Sequence, residues 1–108
     1  MENNDLLKHV QHIANSLTNP EEPIENEYGE IEGDAFHWLE DALDIEWIVA
    51  NDKKTLLGAR VLVAFGGPNI WVDTRKKIVE GFWWGAYAKA EFEDNLDLAD
   101  ALETLYHC

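Results

Sequence analysis

Four short runs rich in β-branched and aromatic residues, separated by compact turn signals, constrain the fold more than any other feature. Residues 45–50, 57–65, 69–74 and 78–84 read as strands. Asn51-Asp52-Lys53-Lys54 and Thr74-Arg75-Lys76-Lys77 fit hairpin turns. Gly66-Gly67-Pro68-Asn69 is a stronger turn, because glycine supplies positive φ and proline fixes its neighbour. Connections this short favour an antiparallel meander of four strands. In the run 57–65, Val61, Val63 and Phe65 alternate with Arg60, Leu62 and Ala64. Both sets are largely apolar, so this strand is expected to be central and covered on both faces.

Helical spacing flanks the strands. Leu6, Val10, Ile13 and Leu17 make one stripe over residues 5–17, widened by Leu7 and Ala14, with Asn3, Asn4 or Asp5 to cap it. Residues 19–33, NPEEPIENEYGEIEG, read as an acidic linker of extended or mobile backbone, with Ile24, Tyr28 and Ile31 as candidate anchors. Asp34 caps a second helix expected to reach about residue 43, with Phe36, Leu39 and Leu43 inward. A last helix spans about 94–106, with Leu98, Ala101, Leu102 and Leu105 inward. The expectation is one α+β domain over 1–108, in the order α-α-β-β-β-β-α: an N-terminal helix (1–18), the linker (19–33) and a body (34–108). The helices pack on one face of the sheet in two layers.

Charge is the second constraint. Between Lys8 and Lys53 there is no lysine or arginine, yet 12 carboxylates lie there. A second stretch, from residue 90 to 108, also lacks bases and carries Glu91, Glu93, Asp94, Asp97, Asp100 and Glu103. The net charge of −14 disfavours binding to nucleic acid or an anionic membrane and favours basic partners. The expected helices put Glu40, Asp41 and Asp44 on one acidic edge and Glu93, Asp97 and Asp100 on another. Carboxylates one helical turn apart lie roughly 6 Å from each other. That is near the phosphate spacing along one strand of nucleic acid, set by a rise of about 3.4 Å and the winding. Such rows can compete for a basic channel; the plain alternative is a solvated acidic face. Lys53, Lys54, Arg75, Lys76 and Lys77 gather at one end of a meander, a positive tip able to pair with the linker.

Trp71, Phe82, Trp83, Trp84 and Tyr87 crowd two adjacent strands. Consecutive tryptophans in a strand lie on opposite faces, so Trp84 is expected on the second face, stacked over Trp71. Trp71 and Trp84 are therefore the candidate partner anchors, and an aromatic sheet face offers a route to a homodimer.

Catalytic machinery is sparse, and the expectation is a protein that is not an enzyme. His9 and His12 lack a third metal ligand, and Asp94-Asn95-Asp97 lacks the glycine and closing glutamate of a calcium loop. His37 beside Asp41 is an acid/base pair without a nucleophile. The glycine turn has no Lys-Ser/Thr and no following helix, so it is no phosphate cradle. No metal or cofactor is expected. The sole cysteine, Cys108, precludes an intramolecular disulfide. No apolar run can span a bilayer, and MENNDLLKHVQH lacks the layout of a secretion signal, so the expected location is the cytoplasm.

The segment 58–74, GARVLVAFGGPNIWVDT, followed at 79–84 by VEGFWW, resembles an uncharacterised family of small acidic proteins of bacterial mobile elements and phages. The resemblance runs from about residue 28 to 108, with GGPNIWV as its most specific part. It implies a setting and no residue roles. Acidic proteins in that setting include anti-restriction and anti-CRISPR inhibitors that imitate nucleic acid. The expected function is thus a non-enzymatic acidic protein that blocks a basic, nucleic-acid-handling protein. The alternative is an interaction module or immunity protein whose acidic surface only solvates it.

Overall fold

The computed structural model describes residues 3–20, 24–25, 27–28, 31–32 and 34–107. Helix α1 (Asn3–Thr18) leads to a short antiparallel ladder of β1 (Ile24–Glu25) and β2 (Ile31–Glu32), then to α2 (Ala35–Leu39). Five strands follow: β3 (Asp44–Val49), β4 (Leu56–Ala64), β5 (Asn69–Asp73), β6 (Ile78–Trp83) and β7 (Ala86–Glu91). They form an antiparallel meander in chain order, and α3 (Leu98–Tyr106) closes the chain. The class is α+β, as expected, but the sheet has five strands rather than four.

Strand β7 carries little sequence signal, because its inward residues are Ala86, Ala88 and Ala90, whose propensity for strands is weak. Small residues suit the place, because α1 packs there against β6 and β7. A Cβ on Gly81 of β6 would lie 2.8 Å from Val10 Cγ2 and 2.9 Å from Leu6 Cδ1. Glycine thus lets the helix approach the sheet, and Leu6, Val10, Ala14 and Leu17 are buried in that contact. Each large side chain of the four stabilises the fold by roughly 1.5–3 kcal/mol.

The cross-strand row Val61, Val72, Val79 and Ala90 lies on the helix side, and Ile45 joins it from β3. Trp47, two residues on, meets Tyr106 of α3 with ring centroids 5.3 Å apart. The alternate row Asp44, Leu62, Trp71, Glu80 and Lys89 therefore lies on the other face. Among the described residues no helix covers that face. The expectation that the second long strand is covered on both sides is corrected accordingly: β4 buries Ala59 and Val61 but leaves Arg60 and Leu62 half-buried.

Helix α2 is shorter than expected. It ends at Leu39, and Leu43 N already donates to Leu62 O of β4 at 2.9 Å. The sheet ladder captures the chain. Continuing the helix would also gather Glu40, Asp41 and Asp44 at its negative end, which is unfavourable. Its start is as expected, with His37 N donating to Asp34 Oδ1 at 2.8 Å.

Helix α3 starts at Leu98, four residues later than expected. Asp94 accepts from Leu98 N at 2.8 Å and from Ala99 N at 2.9 Å, so it caps the helix from a distance. The intervening loop is tied to the end of α1: Glu93 N donates to Thr18 Oγ1, and Asn95 Nδ2 donates to Thr18 O. Asp97 turns the chain with a φ of 60°.

In the segment read as a linker, the two-residue ladder shows that part of it is regular. Tyr28 is exposed. The expected anchoring by Ile24 and Ile31 falls on side chains outside those described. The same is true of the side chains of the linker's other glutamates and of Cys108, while Glu27 forms no ion pair among the described residues.

Candidate partner-binding surface

The carboxylates divide by what they do. Asp34 and Asp94 cap helices, and Asp44 Oδ1 accepts from Ile45 N at 2.9 Å. Asp73, only 2% exposed, accepts from the backbone N–H groups of Arg75 and Lys76 and shapes the turn after β5. Asp52 shapes the turn after β3. It accepts from Thr55 Oγ1 at 2.6 Å and from the N–H groups of Thr55 and Lys54 at 2.9 Å. These bonds, that of the Thr55 side chain foremost, pull its pKa from the ordinary 3.8 down to about 2. A lowered folded-state pKa means the bonds support this turn above pH 4 and are lost as pH falls through about 2. An NMR titration of the Asp52 carboxyl should show a midpoint near 2. In Thr55→Ala that midpoint should move up toward the ordinary value; an unmoved midpoint would contradict this cause.

The remaining described acids cap no helix and shape no turn in this way, although Glu80 accepts from Tyr87 OH. Among the described residues Glu46 alone meets a lysine or arginine side chain, at 3.2 Å from Arg60 Nη1. This pair is partly exposed and contributes at most about 1 kcal/mol. Glu40 lies 3.7 Å from His37 Nδ1, and Glu103 lies 4.0 Å from His107 Nε2. Lys53, Lys54, Arg75, Lys76 and Lys77 form no ion pair among the described residues. A Cβ on Gly58 would lie 2.7 Å from Arg75 Cβ, so the connection after β5 crosses close to β4 beside the 51–54 turn. The acidic loop starts at the same end, where Phe92 N donates to Lys77 O.

The expected helical rows are not formed as such. Asp41 follows the end of α2 and lines a concavity of about 260 Å³ with His9, His12 and Trp38. Asp44 is the first residue of β3 and shares the uncovered sheet face with Trp71. Glu93 lies in the loop before α3, and only Asp100 is within that helix. Asp97 immediately precedes it and makes no side-chain cap bond. The two sets are therefore distributed over loops, a strand start and a helix start, without a shared helical spacing.

The uncovered face carries its own network. Arg60 Cζ sits 4.6 Å from the centroid of the Trp71 ring while its guanidinium meets Glu46. One face of Trp71 is thus already occupied by a cation of the same chain. Tyr87 OH donates to Glu80 Oε2 at 2.7 Å, a bond that pushes the tyrosine pKa up, and the Phe82 and Tyr87 rings are 5.1 Å apart.

Trp84 differs from its expected position. It is not in a strand and does not reach Trp71. Trp84 and Gly85 form the two-residue connection between β6 and β7, with φ values of 48° and 80°. Positive φ at both residues is the type I′ pattern, which favours Asn-Gly. A bulky L-residue there costs roughly 1–2 kcal/mol. Trp84 is nonetheless 88% exposed, and its ring stands edge-on to Trp83 at 5.9 Å. Beside it lies an open concavity of about 490 Å³, walled by Gly66, Gly67, Phe82, Trp83, Trp84 and Tyr87. The sequence signal was present in the dipeptide Trp84-Gly85, since glycine marks a tight turn.

His37 meets Glu40 rather than Asp41, at the exposed end of α2. Among the described residues no group of three His, Cys, Asp or Glu is placed to hold a metal ion. No described helix is long and apolar enough to cross a membrane. No protein-family model, curated protein or solved structure matches this chain.

Proposed function

We propose that this chain is a non-enzymatic acidic protein that binds and blocks a basic, nucleic-acid-handling protein. The observation that carries the reading is the uncommitted charge: at −14, only Glu46 among the described residues is paired with a lysine or arginine. A negative field of this size steers a basic partner into encounter and can raise association rates by about 10–10³-fold. Asp41, Asp97 and Asp100, with Glu40 and Glu93, supply that field around the helix layer, and Asp44 supplies it on the sheet face. Because these acids follow no single row, the imitation of nucleic acid lies in overall potential rather than in matched phosphate spacing. Trp84 supplies the exposed anchor, and Trp71 a secondary one.

A second reading is an interaction module, or an immunity protein, that uses the uncovered sheet face and is merely solvated by its acids. The apolar side chains Leu62, Trp71 and Phe82 on that face favour it, including through a homodimer. Salt separates the two. Exposed charges are screened beyond about 8 Å at physiological ionic strength. The field-driven complex should weaken steadily as salt rises, whereas a complex made by the sheet face should hold. An affinity indifferent to salt would count against the first reading.

A further inference from the structure

We infer that the aromatic concavity beside the Trp84-Gly85 turn is a receiving site for a single arginine side chain of a basic protein partner. The inference rests on the proposed acidic-partner reading and specifies the chemistry of its anchor. The concavity lies between two connections at one end of the sheet. Gly66, with a φ of 93°, belongs to one, and Trp84 and Gly85 belong to the other. Four aromatic residues wall it, and no charged residue does. A Cβ on Gly67 would meet Trp83 Cζ3 at 3.6 Å, so the glycine turn lies against the indole. Trp84 stays exposed on left-handed backbone, where asparagine or glycine would be easier to place. The turn thus retains a strained, solvated tryptophan that the core does not use.

The occupant follows from charge and ring chemistry. Aromatic faces attract cations, and guanidinium does so best among side chains, because it is planar, weakly hydrated and stacks. Trp71 already shows this pairing in the same molecule, under Arg60. The site lacks a carboxylate, yet the chain carries a net −14, so its long-range field favours a cation over an anion. The same charge opposes a second copy of this chain, and it opposes a nucleobase carried on a phosphate strand.

The test is an NMR titration of the whole chain, read at the backbone amides and at the indole N–H signals of Trp83 and Trp84. The probe is a blocked peptide with one arginine between glycines, beside its citrulline counterpart, which keeps the shape and removes the charge. The companion variant is Trp84→Asn, which creates the favoured Asn-Gly turn and should melt no lower than the parent. The arginine peptide should shift both indoles saturably, while citrulline, or the Trp84→Asn chain, should bind about two- to fivefold more weakly. Equal shifts with citrulline, equal shifts with an oligothymidylate, dimerisation through the indoles, or unchanged binding by the variant would each overturn the inference. Shifts confined to residues around Asp41, Asp97 and Asp100 would overturn it too, while leaving the acidic-partner reading standing.

Discussion

Replacing Gly81 by valine is expected to lower stability by about 2–3 kcal/mol and to separate α1 from the sheet. The first added carbon alone would lie within 3 Å of both Leu6 and Val10. Those side chains are fully buried, so neither can swing aside. Valine's better strand propensity returns at most about 1 kcal/mol. For a chain of this size the deficit corresponds to a melting temperature lower by about 10–15 °C. The control is Gly67→Ala, where the added carbon meets only ordinary contact and φ is not positive. That variant should melt close to the parent. If Gly81→Val melted there as well, the seat described for α1 would be wrong.

The second large effect concerns association. Glu40→Lys, Asp41→Lys and Asp97→Lys together move the net charge by two each, from −14 to −8. None of these carboxylates accepts a cap or turn hydrogen bond, and lysine on the left-handed backbone of Asp97 costs about 1 kcal/mol, so the fold should persist. At low salt the association rate with a basic partner should fall by about ten- to a hundredfold, with little change in dissociation. Stopped-flow or surface-binding kinetics reads both. If the acids only solvate the chain, the rates should not move. Asp52 and Asp94 make unsuitable substitutes, because their removal breaks turn and cap hydrogen bonds and mixes stability with binding.

The contrast between these two groups of acids also explains what the sequence could convey. The strands 45–84 were legible because alternating β-branched residues and tight turns report directly on backbone geometry. Strand β7 was not, since its alanines answer to the close packing of α1, a contact between residues distant in the chain. The end of α2 and the start of α3 are hidden from local spacing for a related reason. Leu43 is taken by the ladder of β4, and the 92–97 loop is held by Thr18, partners that local spacing does not reveal. Those two shifts dissolved the expected acidic rows. Charge itself was legible, but its spacing was not. Trp84 is legible as an exposed aromatic, but its place on a turn depends on β7, the strand with the weakest local signal.

The central claim, that this chain occupies the nucleic-acid site of a basic protein, is tested most directly by competition. A partner captured by the immobilised chain at low salt is purified, and its complex with the chain is titrated with duplex DNA, then with RNA, at constant ionic strength. The account predicts mutual exclusion: one nucleic acid displaces the chain in proportion to its own affinity, and no ternary complex forms. A stable ternary complex, with chain and nucleic acid bound together at full affinity, would contradict it.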